Sequence, residues 1–325
     1  MSSLLVKGAD MRVLVTGASG FVGSAVVARL AADATVLVRA ASRRAAAPLD
    51  DRIEQVRVDS LGRDTDWSGA LVGLDAVVHA AARVHVMRET SADPLAEFRR
   101  VNVSGTLALA RQAAAAGVRR FVFISSIKVN GEATERDRLY RADDTPNPVD
   151  PYGVSKHEAE VQLRELATAS RMDVVIVRPV LVYGPGVKGN FASMVRWISR
   201  GTPLPFRSVD NRRSLVAVHN LVDLIRTCLR HPEAANQTFL VSDGDDVSTP
   251  ELLSRVAKAM GRSPRLFPVP LAALRALGTI ARRRAQIERL CGDLRVDIGP
   301  TCARLDWSPP STMADALRDM VASDR

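Results

Sequence analysis

The sequence predicts an α/β protein: a doubly wound parallel sheet with a smaller, mostly helical C-terminal lobe. Three observations carry that expectation. Short Val- and Ile-rich runs alternate with helical patterns from residue 11 to about residue 180. A glycine-rich turn separates the first run from the first helix, and the chain after Ser248 reads as helices alone. Strands that are apolar on both faces need helices on both sides of the sheet.

Each element follows in order. MRVLVTGASGFVGSAVVARLAA gives a buried strand, a turn and a helix with apolar residues at helical spacing. Strands follow at ATVLVRA, EQVRVD, DAVVHAA, RRFVFISS and MDVVIVRP, with helices at DPLAEFRRVNVSGTLALARQAAAAG and VSKHEAEVQLRELATAS between them. After Pro179 the pattern loosens into LVYGPGVKGN, a helix around Phe191 to Arg200 and a Pro/Arg-rich loop to Arg213. The helix VHNLVDLIRTCLRHP and the strand TFLVSD return to the sheet. STPELLSRVAKAMG, LFPVPLAALRALGTIARRR and STMADALRDMVAS are the lobe helices. The expected division is 11–180 with 214–243 as the sheet domain and 181–213 with 244–325 as the lobe. Residues 1–10, ahead of a second methionine at Met11, read as a flexible extension. Ligands of such sheets lie at the carboxyl ends of the strands.

Composition narrows the class. At 325 residues, 46% hydrophobic and 25% charged, the chain can bury a large core, and no apolar run reaches the 18 or so residues of a spanning helix. A soluble, cytoplasmic protein is expected. Cys228, Cys291 and Cys302 are widely spaced with no Cys/His cluster, which favours packing residues over a disulfide framework or a metal site. The net charge of +9 suits a phosphorylated ligand, nucleic acid or an anionic membrane surface. Five of the 45 basic residues are lysine and the arginines are scattered, which argues against nucleic acid. The apolar segment Leu266 to Ala281, with its basic end Arg282 to Arg284, reads as a packed lobe helix in preference to a membrane-surface helix.

The chemistry-bearing residues stand at the ends of the predicted strands. Gly17, Gly20 and Gly23, spaced G-x-x-G-x-x-G between strand and helix, allow a tight turn and close backbone approach to a pyrophosphate facing the helix N-terminus. A carboxylate ending the second strand would hold the ribose hydroxyls of NAD, whereas an arginine meets a 2′-phosphate. Arg39, followed by Arg43 and Arg44, therefore favours NADP(H) over NAD(H), a solvated basic loop being the other reading. Tyr152 and Lys156 stand one helical turn apart on one face. A neighbouring ammonium favours the phenolate, which moves a tyrosine toward proton exchange at neutral pH. Ser125 and Ser126 end the strand FVFISS, where a hydroxyl can bond the oxygen that Tyr152 protonates; both also suit a plain turn.

Together these residues resemble the extended short-chain dehydrogenase/reductase family, in its sugar-nucleotide epimerase/dehydratase branch, over nearly all of residues 11–320. The resemblance implies a Rossmann-type fold. It implies Ser126, Tyr152 and Lys156 as the catalytic serine, tyrosine and lysine, with Lys156 also on the nicotinamide ribose. It implies cofactor contacts from Gly17, Ser19, Gly20, Phe21, Val22 and Gly23, from Asp59, Ala80 and Ala81, and from Asn102 and Pro179. Substrate contacts are implied at His85, Ser125 and Lys128, with Asn190 and Arg213 on the nucleotide diphosphate, although Arg212 adjoins Arg213. Where 4,6-dehydratases of the family carry an Asp-Glu pair, this chain has Ile127 and Lys128, so elimination is not expected. The expectation is NADPH-dependent reduction of a UDP-linked 4-keto (6-deoxy, N-acetylated) hexose in surface-polysaccharide precursor synthesis. The alternatives are an NAD-dependent UDP-hexose 4-epimerase and a non-catalytic NADP(H)-sensing protein. A homodimer through the helix of Tyr152 and a neighbour is implied by the resemblance alone.

Overall fold

The computed structural model describes residues 11–43, 52–84, 93–280 and 284–323. The expected extension 1–10, Arg44, and Arg282 with Arg283 lie outside them. The chain opens with β1 (Met11–Thr16), α1 (Phe21–Ala31), β2 (Val36–Ser42) and β3 (Ile53–Arg57). It continues through α2 (Ser68–Leu71), β4 (Ala76–His79), α3 (Pro94–Phe98), a π-helical segment at Arg99–Gly105, and α4 (Thr106–Ala115). Then come β5 (Arg120–Ile124), α5 (Pro151–Thr168) and β6 (Asp173–Pro179).

The sheet has seven strands in the order β3-β2-β1-β4-β5-β6, ending on β9 (Thr238–Val241). The doubly wound class expected from the apolar strand runs is thus observed. Strands β1 to β6 pair in parallel, and the order reverses beside β1. Thr16, the last residue of β1, is level with His79, the last of β4. Such a switch point leaves a crevice at the strand ends, because the crossovers on either side run to opposite faces.

By packing, the chain divides into two units: residues up to Ser125 with Asp150–Val177 and Ile225–Gln237, and Ser126–Val149 with Arg178–Leu224 and everything from Thr238. Ser126–Val149 and the start of the return segment pack with the helical unit, not with the sheet. In the first unit, one core cluster joins Trp67, Leu109, Phe121, Phe123, Leu163 and Met172, the apolar faces that the strand and helix spacing promised.

The second unit begins with a small parallel pair, β7 (Leu181–Tyr183) and β8 (Leu215–Ala217), which flank α6 (Gly189–Ser199). Three-residue strands carry too little pattern to be read from sequence. The pair is held from the side. Tyr183 stacks on Phe191 at 5.4 Å and its hydroxyl donates to Asp243 at 2.7 Å, while Asp243 accepts from the Ala217 amide and from Asn220. Burial raises the Asp243 carboxyl above its ordinary range, and these three donors oppose that rise. After α7 (Val218–Arg230) and β9, the unit is helical: α8 (Thr249–Ala259), α9 (Leu271–Ile280), α10 (Arg284–Cys291), α11 (Gly299–Leu305) and α12 (Met313–Ser323). A full capping box between Ser248 and Glu251 starts α8. Cys228 and Cys291 are buried free thiols and Cys302 is half-buried. Among the described residues, no helix is long and apolar enough to cross a membrane.

Candidate active site

The glycine turn is built by backbone against backbone. Gly17 has φ +68°, and a Cβ there would lie 2.7 Å from the Ala81 amide nitrogen. A Cβ on Gly23 would lie 2.1 Å from the Gly17 carbonyl oxygen. Neither position accepts a side chain, because the turn folds onto itself and onto the segment leaving β4. Thr16 fastens that segment: its carbonyl accepts from the Ala80 amide at 3.3 Å and its hydroxyl oxygen from the Ala81 amide at 3.3 Å. Gly17 and Gly23 thus stand together, with Ala80 and Ala81 against Gly17. Helix α1 starts at Phe21 on a Gly20 N-cap, with no side-chain cap and no acidic residue in its first turn. Its first amides therefore point out of the helix without an internal acceptor, a geometry that suits a dinucleotide pyrophosphate.

On α5, Asp150 caps the helix by accepting from the Gly153 amide at 2.7 Å, and Pro151 occupies the first turn. That start fixes the phase of the helix, and with it the facing of Tyr152 and Lys156. Lys156 is 2% exposed. Its ammonium donates to the Ile124 carbonyl at 2.7 Å and lies 4.4 Å from the Phe123 ring centroid and 6.0 Å from that of Tyr152. Burial pushes the ammonium down to about 7, opposed by the nearby Glu160 carboxylate. A lysine at the edge of deprotonation beside a phenol is a charge that can be spent on proton transfer. The Phe98 ring meets the Tyr152 ring edge-on at 6.1 Å. Two of the three ammonium N–H directions meet no hydrogen-bond acceptor among the described residues, so the group fits a ribose diol.

Beneath this pair lies His79, fully buried, with Nδ1 at 2.7 Å from the Thr16 hydroxyl and Nε2 at 2.9 Å from the Thr106 hydroxyl. It stacks at 5.9 Å on Phe123. Burial, then the Lys156 charge, pushes its imidazole down to about 3, so it is neutral and acts as a polar strut between β1, β4 and α4.

Several of the expected residues are held by partners within the protein. Arg39 is the fourth of seven residues in β2, not its end. Its guanidinium pairs with Glu54 at 2.7 Å and donates to the carbonyls of Ala70 and Val72, so it is spent on the fold. The strand runs two residues further than its apolar pattern suggested, and exposed Arg43 is the residue that follows its end. Ser125, expected on the substrate, is 3% exposed and donates to Glu160 at 2.6 Å. Asn102, expected on the cofactor, commits its amide within the protein: Oδ1 accepts from the Arg83 amide, and Nδ2 donates to the Arg83 carbonyl and the Ser155 hydroxyl. It ties the segment after β4 to α5, and so positions Lys156 one residue on. The sequence alone does not mark Glu160, since a carboxylate in a helix normally faces water. Its spacing of four from Lys156 was the available signal.

The remaining residues are placed as follows. Ser19, Phe21 and Val22 lie in the glycine turn or the first turn of α1. Asp59 follows β3 and pairs with Arg57 at 2.9 Å, both well exposed. In the second unit, Ser126 is half-buried and its hydroxyl accepts from the Lys128 amide at 3.2 Å; the Lys128 ammonium donates to Glu132 at 2.8 Å. Pro179 ends β6, and Arg178 before it is buried on Asn130. Arg213 turns inward onto the Gly292 carbonyl at 2.9 Å, while Arg212 is exposed toward Glu251. Asn190 is the second residue of α6, its side chain outside the described set, and His85 lies outside the described residues.

A glycine turn at the switch point of a parallel sheet, with a tyrosine and a buried lysine one turn apart on the helix beyond β5, defines a short-chain dehydrogenase/reductase of the extended type. The chain belongs to the NAD dependent epimerase/dehydratase family, whose model matches residues 13–242. It is 47% identical over 307 residues to a UDP-glucose 4-epimerase of Vibrio cholerae, covering 94% of this chain and 93% of that one. It is 30% identical to a GDP-6-deoxy-D-mannose reductase of Pseudomonas aeruginosa, covering 96% of each. Among solved structures, MoeE5 in complex with UDP-glucuronic acid and NAD matches with a TM-score of 0.78 at 25% identity, covering 97% of this chain and 99% of that one. The protein is accordingly an enzyme of the nucleotide-sugar epimerase and reductase class.

Proposed function

We propose that this protein is a UDP-hexose 4-epimerase that retains NAD. The observation that carries the reading is its 47% identity, over nearly the whole of both chains, to a UDP-glucose 4-epimerase. The engagement of Arg39 by Glu54 and the Ala70 carbonyl supports it, since that residue is the main sequence ground for a 2′-phosphate. When bound, NAD supplies the acceptor that takes hydride from C4 and returns it. The protein's own part is proton transfer and restraint. Tyr152 Oη takes the C4 hydroxyl proton as the carbonyl forms, then gives it back to the same oxygen when hydride returns on the other face. The Lys156 ammonium lowers the cost of the phenolate between these two events and holds a ribose through its remaining N–H groups. Ser126 takes its role from the resemblance, orienting the reacting oxygen.

A second reading, NADPH-dependent reduction of a 4-keto sugar nucleotide, is favoured by one observation. No carboxylate occupies β2 from Arg39 to its end, and Arg43 follows directly. Nucleotide released from freshly purified, denatured protein separates the two. Stoichiometric NAD, with interconversion of UDP-glucose and UDP-galactose by the intact protein, is the expected result. Empty protein that binds NADPH far more tightly than NADH would instead establish the reductase. In either case Tyr152→Phe should abolish most turnover while leaving the nucleotide affinity within a few-fold; full activity in that variant would remove Tyr152 from the chemistry.

A further inference from the structure

Helix α9 is turned outward in an unusual way. At 100° per residue, Ala272, Ala276 and Ile280 form one row and Ala273 and Leu277 the next, and all five are exposed. The helix is held to its unit by the opposite edge, where Leu274 and Gly278 are buried. There α10 comes so close that a Cβ on Gly278 would meet the Ile287 side chain at 2.7 Å. The outward face is therefore apolar but for Thr279, whose hydroxyl is turned back onto the Arg275 carbonyl at 3.0 Å. Leu277 is 59% exposed and Ile280 80%, and Phe267 on the approach to the helix is 44% exposed. A surface helix normally shows its polar side to water, so this one is built to be covered.

The charge around it says by what. From Leu252 to Ile287 the sequence has no acidic residue, while Arg255, Lys258, Arg262, Arg265, Arg275 and the run Arg282 to Arg284 are basic. Of these, Arg262, Arg265, Arg275 and Arg284 are exposed; Arg275 is on the helix itself, and the Arg284 backbone packs on Gly278. Arg275, the one charged residue of α9, is paired with Glu288 at 3.4 Å. Arg282 and Arg283 count here for charge alone. A second copy docking by the same face would bring two such basic stretches together, a repulsive arrangement. An apolar helix face rimmed by arginine complements an anionic lipid surface, into which the apolar side chains sink while the guanidinium groups stay among the head groups.

We propose that α9 is a membrane-surface helix that docks the enzyme on anionic lipid. Flotation of the full chain with vesicles tests this directly. Protein should rise with phosphatidylglycerol mixed into phosphatidylcholine, not with phosphatidylcholine alone, and high salt should release it. Arg284→Glu should weaken partition about fivefold or more, the loss expected for one basic contact. Leu277→Asp with Ile280→Asp should weaken it about tenfold or more, from the apolar burial lost. Unchanged circular dichroism and Tm would show that these surface variants fold. Failure to float with anionic vesicles, equal flotation with neutral ones, or undiminished flotation of the double variant overturns the proposal. So does a concentration-dependent dimer that the double variant dissolves, which would assign the face to a second copy.

Discussion

At residue scale, two buried ionisable groups control the charge around Tyr152. His79 is neutral in the folded chain, its imidazole pushed down to about 3 against an ordinary 6.5. Between those values the unfolded chain binds a proton that the folded chain does not, so stability falls as pH drops below 6.5 toward 3. Between pH 6.5 and 5 this costs about 2 kcal/mol. Urea titrations of wild type and His79→Asn should differ in that slope, the variant being less stable at pH 7 but flatter toward pH 5; parallel slopes would mean His79 is not held neutral. Glu160 acts in the opposite sense on Lys156. Its carboxylate, 0% exposed, opposes the burial that depresses the ammonium. Glu160→Gln keeps an acceptor for Ser125 and removes the charge, so Lys156 should lose its proton at lower pH. The alkaline limb of the kcat profile should move down with it. An unmoved limb would leave Glu160 as packing alone.

At the scale of the element, the turn between β1 and α1 is the least forgiving part of the chain. A methyl group at Gly23 would lie 2.1 Å from the Gly17 carbonyl oxygen, and the obstacle is backbone that cannot swing aside. Gly23→Ala should therefore push α1 off β1, lowering Tm by several degrees and reducing nucleotide affinity by about tenfold or more. Isothermal titration with NAD alongside a thermal scan measures both, and wild-type values of either would show that the turn yields. The contrast with β2 is instructive. The glycine spacing was legible because it is local and each glycine has a steric reason. Arg39 was not, because an apolar run shows that a strand exists but not where it stops. A two-residue difference in its end moves Arg39 from a strand end to mid-strand, where it pairs with Glu54.

At the scale of the whole molecule, what could be read from sequence was what repeats: strand after helix, buried on both faces, then helices alone. The Tyr152 and Lys156 pairing was legible for the same reason, lying within one helical turn. Contacts between distant parts were not. Ser125 meets Glu160 across 35 positions and Asn102 meets Ser155 across 53, and nothing in either neighbourhood announces the partner. The unit with which Ser126–Val149 packs was also hidden, since that stretch has no regular pattern to assign it. That division makes a prediction of its own. The first unit needs Ile225–Gln237, where the carbonyls of Cys228 and His231 accept from Arg120 of β5. A fragment ending at Leu224 should keep helical circular dichroism yet bind a hydrophobic dye and melt without a sharp transition. A cooperative melt would show that the first unit closes without its last segment.

The same threading sets a timetable for synthesis. The glycine turn leaves the ribosome early, but the unit that contains it stays incomplete until residue 237 has emerged. The sheet edge at β6 waits for β9, so at about 5–20 residues per second it stays open for roughly three to twelve seconds after β6 is made. Until the late segment arrives, that edge presents unpaired backbone groups to any other strand it meets.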